Sequence, residues 1–335
     1  MNMSDTSGSN GVGDYQTYPE STASEYIWKI CPPLLILCGT VGNIVSIIVL
    51  RRPKVRKAVC SFYFIALAAS DLLVLYTGLL RQWIYYTFNF DVRHLGTAGC
   101  KLHTWLVYFS LHFSSWILVA VTIERVLLVW FPIVAKTTCT KRTVTISIIA
   151  ICICLLLVNS HILYGKGQYL EQRNGTTYIH MCVFVSKSYK TFWESTWQSI
   201  DMAIFCGVPF FCLLIGNILI CVKVRLSRLA VKRNATINRF GTPKCKDSKF
   251  SSMSVMLLTI NTTFVICNTP ISIYLIGLRF WISDLSEKDK ANIDLIWSIV
   301  NILMYLSNSI NLLMYILSGS LFRKEIRTVL TGKQH

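Results

Sequence analysis

Charge is scarce in this chain. Only 15% of its 335 residues are Asp, Glu, Lys or Arg, while 53% are hydrophobic. A soluble domain carries about a quarter charged residues. The apolar residues are also clustered instead of alternating with polar ones, so the shortage excludes an ordinary soluble domain and points to a membrane. Acidic residues are scarcer still, 16 against 33 basic, for a net charge of +17. So basic a chain would suit nucleic acid, but the distribution argues against that partner. Arg51, Arg52, Lys54, Arg56 and Lys57 fill one short gap between apolar segments. Lys223, Arg225, Arg228, Lys232, Arg233, Arg239, Lys244, Lys246 and Lys249 fill another, with only Asp247 against them. The first 29 residues instead hold Asp5, Asp14, Glu20 and Glu25 against Lys29 alone. Alternate connections are basic, as the positive-inside rule requires, so the N-terminus is expected outside and the basic loops in the cytoplasm.

Other absences narrow the function. The chain has no phosphate-binding loop, no His-Glu metal pattern and no nucleophile–base pair, so no enzyme is expected. It has no internal repeat, which argues against the duplicated architecture common in transporters. Its beginning lacks the basic start and apolar core of a cleavable signal, being Ser-, Gly- and Asn-rich and acidic. The first apolar segment is then expected to act as its own insertion signal.

What is present is a series of seven apolar stretches, each long enough to cross a hydrocarbon core of ~30 Å as a helix. They run from about Tyr26 to Leu50, Val59 to Tyr85, Cys100 to Phe131, Thr143 to Tyr164, Phe192 to Val224, Met253 to Phe280 and Ala291 to Leu317. After Ser318-Gly319-Ser320, the residues Leu321, Phe322, Ile326 and Leu330 fall at helical spacing, with Arg323, Lys324 and Arg327 between them. That pattern predicts a short amphipathic helix on the inner membrane surface, in contact with lipid. No cysteine follows it, so lipid attachment there has no support. The expected organisation is a disordered extracellular segment over 1–25, a seven-transmembrane helix bundle over 26–317, and the amphipathic inner helix with a short cytoplasmic tail over 318–335. The fold class is an all-α membrane protein.

Polar residues inside apolar helices are costly and mark function or mutual pairing. Asp71 lies deep in the second segment, Asn43 in the first, Ser114 in the third, and Asn308 and Asn311 in the seventh. At matching depths they can satisfy one another in the bundle interior. Hard cations prefer oxygen ligands, so the same set could also hold a sodium ion as an allosteric modulator. No other metal or cofactor is implied. In the third segment, Cys100 and Arg125 are 25 residues apart, roughly 37 Å of helix. Cys100 therefore lies at the outer end and Glu124-Arg125 at the inner end. Cys182 falls in the loop between the fourth and fifth segments, also outside. An oxidising exterior permits a Cys100–Cys182 disulfide, and the topology puts only these two cysteines on outer loops.

Gly42-Asn43, Leu67-Ala68-Ala69-Ser70-Asp71, Cys100 with Glu124-Arg125-Val126, Pro209, then Phe264, Cys267 and Pro270, and finally Asn311, Tyr315 and Phe322 resemble the signature of rhodopsin-like (class A) G protein-coupled receptors. Order and spacing hold from about residue 27 to 330, and the general pattern is most similar to invertebrate neuropeptide receptors. The resemblance implies a plasma-membrane receptor that activates heterotrimeric G proteins, with arrestin as a further partner. It implies that Glu124 pairs with Arg125 at rest, and that Arg125 is freed towards the G protein as helix six swings outward. It also implies that Pro270 kinks helix six and that Tyr315 moves inward to support the open state. The basic third inner loop and the amphipathic helix would meet the G protein. The chain departs from the family pattern at Asn268 in place of tryptophan, Leu312 in place of proline and Asn217 in place of tyrosine. It also lacks a helix-four tryptophan within Val144–Leu157. These departures bear on the switch and on the bending of helix seven.

The resemblance also bears on the ligand. The helix-three position where aminergic receptors carry aspartate is Val107, and helix seven has Asn301 near the level of a retinal lysine, so neither an amine nor light is expected. Gly165, Gly167 and Asn174-Gly175 suit a hairpin, as in receptors with open, peptide-accepting pockets. Candidate pocket residues are Arg81, Tyr108, Asp201, Arg279, Trp297 and Tyr305. Asp201 could receive a basic ligand group or pair with a neighbouring helix, and Arg81 or Arg279 could receive an acid. The outer aromatics could equally form an interface belt. A peptide is the expected ligand; the alternatives are a chemosensory receptor for a small molecule and, further away, a transporter. His103 and His112 are expected to pack or to line the pocket. Sequons at Asn2 and Asn174 would be glycosylated outside, whereas those at Asn234 and Asn261 should be chance.

Overall fold

The computed structural model describes residues 18–56, 58–173, 176–237, 248–281 and 285–331, and within them all side chains except 170–173, 176–178, 228, 230–237, 248–253, 279–281 and 330. Helices dominate because a peptide group in lipid must find its partner within its own segment. Five membrane-length apolar helices follow in order: α1 (Pro19–Leu50), α2 (Ser61–Phe88), α3 (Thr97–Trp130), α4 (Lys141–Gly165) and α5 (Lys187–Ser227). The last piece of α5 continues helical to Ile237, past the apolar stretch, through residues that favour helix such as Leu226, Arg228 and Ala230. α6 (Ser248–Trp281) contains the apolar span Ser254–Leu278. α7 is a bent pair, Glu287–Ser309 and Asn311–Ser318, and as one span it makes the seventh crossing. α8 (Ser320–Thr331) follows.

One feature lies outside the all-α class. Between α4 and α5, β1 (Lys166–Arg173) pairs antiparallel with β2 (Thr176–Phe184), with Lys166 opposite Phe184 and Leu170 opposite Ile179. The hairpin expectation therefore holds for the strands, while Asn174-Gly175 lie outside the described residues. Cys182, at the end of β2, is bonded to Cys100 at the start of α3, with Cα atoms 5.4 Å apart. The hairpin marks one end of the bundle and α8 the other.

Two apolar layers hold the helices together. Trp28, Leu75, Leu79 and Tyr305 pack near the hairpin end. Phe64, Leu67, Ile117, Leu213, Ile220, Leu257 and Tyr315 pack near the α8 end. The outward residues are apolar too: Leu34, Leu37, Val41, Ile44 and Ile48 on α1, and Ile146, Ile149, Ile153 and Leu157 on α4, are all exposed. Their spacing of three or four forms lipid-facing stripes. Burial alone gives helices little reason to associate in lipid, so dispersion contacts and buried polar links carry that task.

Two irregularities position the site. A π-helical turn at Ala203–Gly207 lies just before Pro209. Proline has no N–H for the carbonyl of Phe205, and a local widening accommodates the missing bond. α7 bends by 53° between Ser309 and Asn311. The sequence departs here from the pattern it resembles, with Leu312 where proline is usual, yet the bend forms. It coincides with Asn308 and Asn311, one on each side, both donating to Asp71.

Candidate functional site

Three polar arrangements lie along the bundle. At the hairpin end, Asp201 of α5 meets α3 and α4. Its Oδ1 is 2.8 Å from His112 Nε2, and Asn159 Nδ2 lies 3.1 Å from His112 Nδ1. Asn159 Nδ2 also donates to the Leu155 carbonyl at 2.8 Å, which fixes the amide orientation. His112 Nδ1 must therefore accept, which leaves its proton on Nε2 facing Asp201. Asp201 Oδ1 is then the acceptor of that proton. The Asp201 side chain is 22% exposed, whereas His112 is 1% exposed. The pairing of Asp201 with a neighbouring helix is thus realised. Tyr108 stands beside this group, its ring 5.5 Å from Trp193 and 6.2 Å from Trp197. Lys166 of β1 places its ammonium 3.5 Å from the Phe184 ring, closing the aromatic cluster beneath the hairpin.

Arg81 sits elsewhere at the same end. Its Nε and Nη2 donate to the two carboxylate oxygens of Asp91 at 3.0 and 2.7 Å. Arg93 donates to the same carboxylate, and Asp91 also caps the short 3-10 turn Val92–Leu95. Burial works to raise the Asp91 carboxyl, but hydrogen bonds and charge from Arg81 and Arg93 outweigh it and hold it well below the ordinary carboxylate range. A depressed carboxyl contributes stability that is present above its unfolded pKa of about 4 and is lost as pH falls towards its folded value. The thermal midpoint of the purified protein should therefore drop on acidification below about pH 4. Asp91→Asn should flatten that acid limb and cost about 3 kcal/mol at neutral pH, since it strands two guanidinium groups. Equal acid sensitivity in both proteins would refute this assignment.

Of the other pocket candidates, Trp297 packs on Tyr274 with ring centres 5.4 Å apart. Tyr305 is buried against Gly78, where a Cβ would stand 2.6 Å from the tyrosine hydroxyl. The Arg279 side chain lies outside the described residues, as do Asn2 and Asn174. The five described candidates thus divide: Tyr108 and Asp201 share one cluster, while Arg81, Trp297 and Tyr305 make their contacts separately.

At mid-depth the structure joins five residues expected to meet. Asp71 Oδ1 accepts from Ser114 Oγ at 3.0 Å and from Asn308 Nδ2 at 2.7 Å, and Asp71 Oδ2 accepts from Asn311 Nδ2 at 2.5 Å. Asn43 Nδ2 donates to the Asn308 carbonyl at 3.0 Å. A small cavity touches Asp71, Ser114, Asn308 and Asn311, with Phe264 and Ser307 on its wall.

At the α8 end, one expectation is corrected. Arg125 Nη2 donates to Cys60 Sγ, and both Glu124 carboxylate oxygens are buried without a hydrogen-bond partner. The expected Glu124–Arg125 pair is not made. Adjacent residues on a helix point about 100° apart, so forming the pair requires one side chain to bend back. Tyr315 is fully buried between Phe64 and Phe322, with ring centres 5.6 and 5.2 Å away. Pro270 lies inside an unbroken α6. Asn268, at the usual tryptophan position, donates to the Phe264 carbonyl and reaches Ser307 Oγ of α7 at 3.3 Å.

Several participants escaped the sequence reading. The sequence shows no partner for His112, and Asn159 carries a signal only as an asparagine in an apolar helix. Glu325 was also missed. It is buried on α8 and pairs with Arg52 at 3.0 Å, docking α8 on the turn after α1.

The family described as 7 transmembrane receptor (rhodopsin family) matches residues 42–315. The chain is 25% identical to neuromedin-U receptor 2 of Rattus norvegicus over 334 residues, covering 93% of this chain and 80% of that receptor. It is 25% identical to the thyrotropin-releasing hormone receptor of Gallus gallus over 365 residues, with 95% and 84% covered. It is 26% identical to C-C chemokine receptor type 3 of Cavia porcellus over 299 residues, with 88% and 75% covered.

Proposed function

Because this chain belongs to the rhodopsin family of seven-transmembrane receptors, we propose that it binds a neuropeptide at its hairpin end and activates heterotrimeric G proteins from its α8 end. It is a receptor and not an enzyme. In this reading the protein lies in the plasma membrane with the hairpin outside and α8 inside, against lipid. The basic segment between α5 and α6 and the surface of α8 face the G protein, and after activation arrestin.

The observation that carries the receptor reading is the family match over residues 42–315. Relatives named for neuromedin U and for thyrotropin-releasing hormone support a peptide as ligand. So does the paired hairpin between α4 and α5. Asp201, a carboxyl that accepts from His112 and is partly open, suits a basic or donor group on that peptide. Agonist binding acts by its differential affinity for the active arrangement.

Asp71, Ser114, Asn308 and Asn311 also fit a sodium ion. They offer a carboxylate, a hydroxyl and two carboxamides, whose oxygens would have to turn inward from their present N–H contacts with Asp71, around a cavity with room for roughly one water-sized occupant. A bound cation would neutralise the buried carboxylate, while these side chains hold α2, α3 and α7 together.

The test is a neuropeptide-library screen on cells expressing the chain, reading nucleotide exchange on G protein in sodium and in choline medium. At least one peptide should evoke exchange, sodium should lower its apparent affinity, and Asp71→Asn should remove that sodium effect. Failure of all peptides and small molecules, together with ligand-dependent substrate uptake, would replace this reading with a transporter.

A further inference from the structure

We propose that Asn261 is the residue that holds the receptor at rest, by latching α6 to both α3 and α5; the proposal rests on the receptor function given above. Asn261 is fully buried. Its Nδ2 donates to Thr122 Oγ1 of α3 at 2.8 Å and to Asn217 Oδ1 of α5 at 2.9 Å. Thr122 Oγ1 in turn donates to the Leu118 carbonyl at 2.7 Å, so its lone pairs are turned towards Asn261. One carboxamide therefore ties three helices together.

The surrounding backbone is built for this contact. Gly216, next to Asn217, brings α5 against α3 so closely that a Cβ would stand 2.3 Å from Thr122 Cγ2. That approach carries Asn217 within reach of Asn261. The departure from tyrosine at 217 thereby acquires a partner, and Asn261 has a use beyond its chance sequon. The pair Glu124–Arg125, which the resemblance assigns to the resting state, is not formed here. That pair would join neighbours on α3 and could tie no second helix, whereas Asn261 joins α6 to α3 and α5.

The latch is also made to open. Asn261 lies nine residues before Pro270, roughly 13 Å along the helix. A pivot of about 10° at that proline carries Asn261 about 2 Å, beyond the range of a hydrogen bond. The Asn261 Oδ1 atom is buried without a donor. A stranded acceptor penalises the closed arrangement and offsets part of what the two bonds contribute. The closed state is held, but weakly enough for a ligand to release it.

Two readouts test this on the full-length receptor in nanodiscs. One is G protein nucleotide exchange without ligand, normalised to the amount of receptor. The other is the distance between nitroxide-bearing residues placed at Lys136 and Val255, which needs no G protein. Asn261→Ala should raise basal exchange about fivefold or more and lengthen the label distance. Thr122→Val, close in shape and free of the acceptor, should move both readouts the same way. The double variant should add little to either single one, since both break one link. If Asn261→Ala and Thr122→Val each keep wild-type exchange and distance, Asn261 is only a packing residue and the latch is refuted. A lengthened distance with no G protein responding to any variant would sustain the latch and overturn the signalling function.

Discussion

Arg125→Ala is expected to cut ligand-evoked nucleotide exchange by a factor of about 30 to 1000, the range for loss of an arginine anchor at an interface. The physical case is an under-used cation. Arg125 is 4% exposed, donates to the sulfur of Cys60, and leaves Nε without a partner. A guanidinium has five donors, and a neutral thiol is a weak acceptor for one of them. This arrangement therefore bears a poorly satisfied buried charge, and a partner offering carbonyl or carboxylate oxygens at the α8 end would compensate its exposure. A merely structural arginine would behave otherwise, because its removal would destabilise the fold. Here alanine relieves a stranded charge, so the thermal midpoint of the unliganded receptor should hold or rise while signalling is lost. Arg125→Lys should recover little, since an ammonium lacks the planar fork. Undiminished exchange by Arg125→Ala at equal surface amount would remove Arg125 from the coupling role.

Loss of the Cys100–Cys182 bridge should have the second large effect. The bridge spans 82 residues of sequence. By chain entropy alone a loop of that length is worth about 4–5 kcal/mol. Helices already inserted in lipid keep the two ends near each other when tertiary packing is lost, so this value is an upper bound. The more local loss is the tether of β2 to α3, which holds Phe184 of the hairpin in the cluster with Tyr108 and Trp193. Cys100→Ser combined with Cys182→Ser should lower receptor at the cell surface by more than about tenfold and abolish the peptide response of what remains. Measurement by surface labelling and exchange assay decides it, and normal surface amount with normal peptide potency would show that the hairpin keeps its place unaided.

How legible this protein was depended on the kind of information each residue carries. The spans were legible because a helix crossing lipid must be apolar along its length, a one-dimensional property. The Asp71 cluster was legible because polar residues are rare in such helices and depth follows from position. The hairpin showed in its glycines. Partner choice was less legible. Asp201 was read with an alternative open, and only the meeting of α3, α4 and α5 brought it to His112 and Asn159. Glu124 and Arg125, neighbours in sequence, were expected to pair, yet their side chains leave the helix in different directions. Asn217 looked like a simple loss, and only the packing of α6 beside it showed the matching Asn261. Leu312 raised doubt over the bend of α7, which forms through asparagines that turn to Asp71.

By itself, the sequence determined that this chain crosses a membrane as seven helices with an amphipathic eighth, because solvation acts on each segment separately. The motif order determined the family in the same segment-by-segment way. The tertiary structure alone decided which polar groups satisfy one another between helices. Those choices depend on rotation about each helix axis and on close approaches such as Gly216 against Thr122. They place Asp201 against His112 at one end and an under-paired Arg125 at the other. Between them, Asn261 joins α6 to α3 and α5.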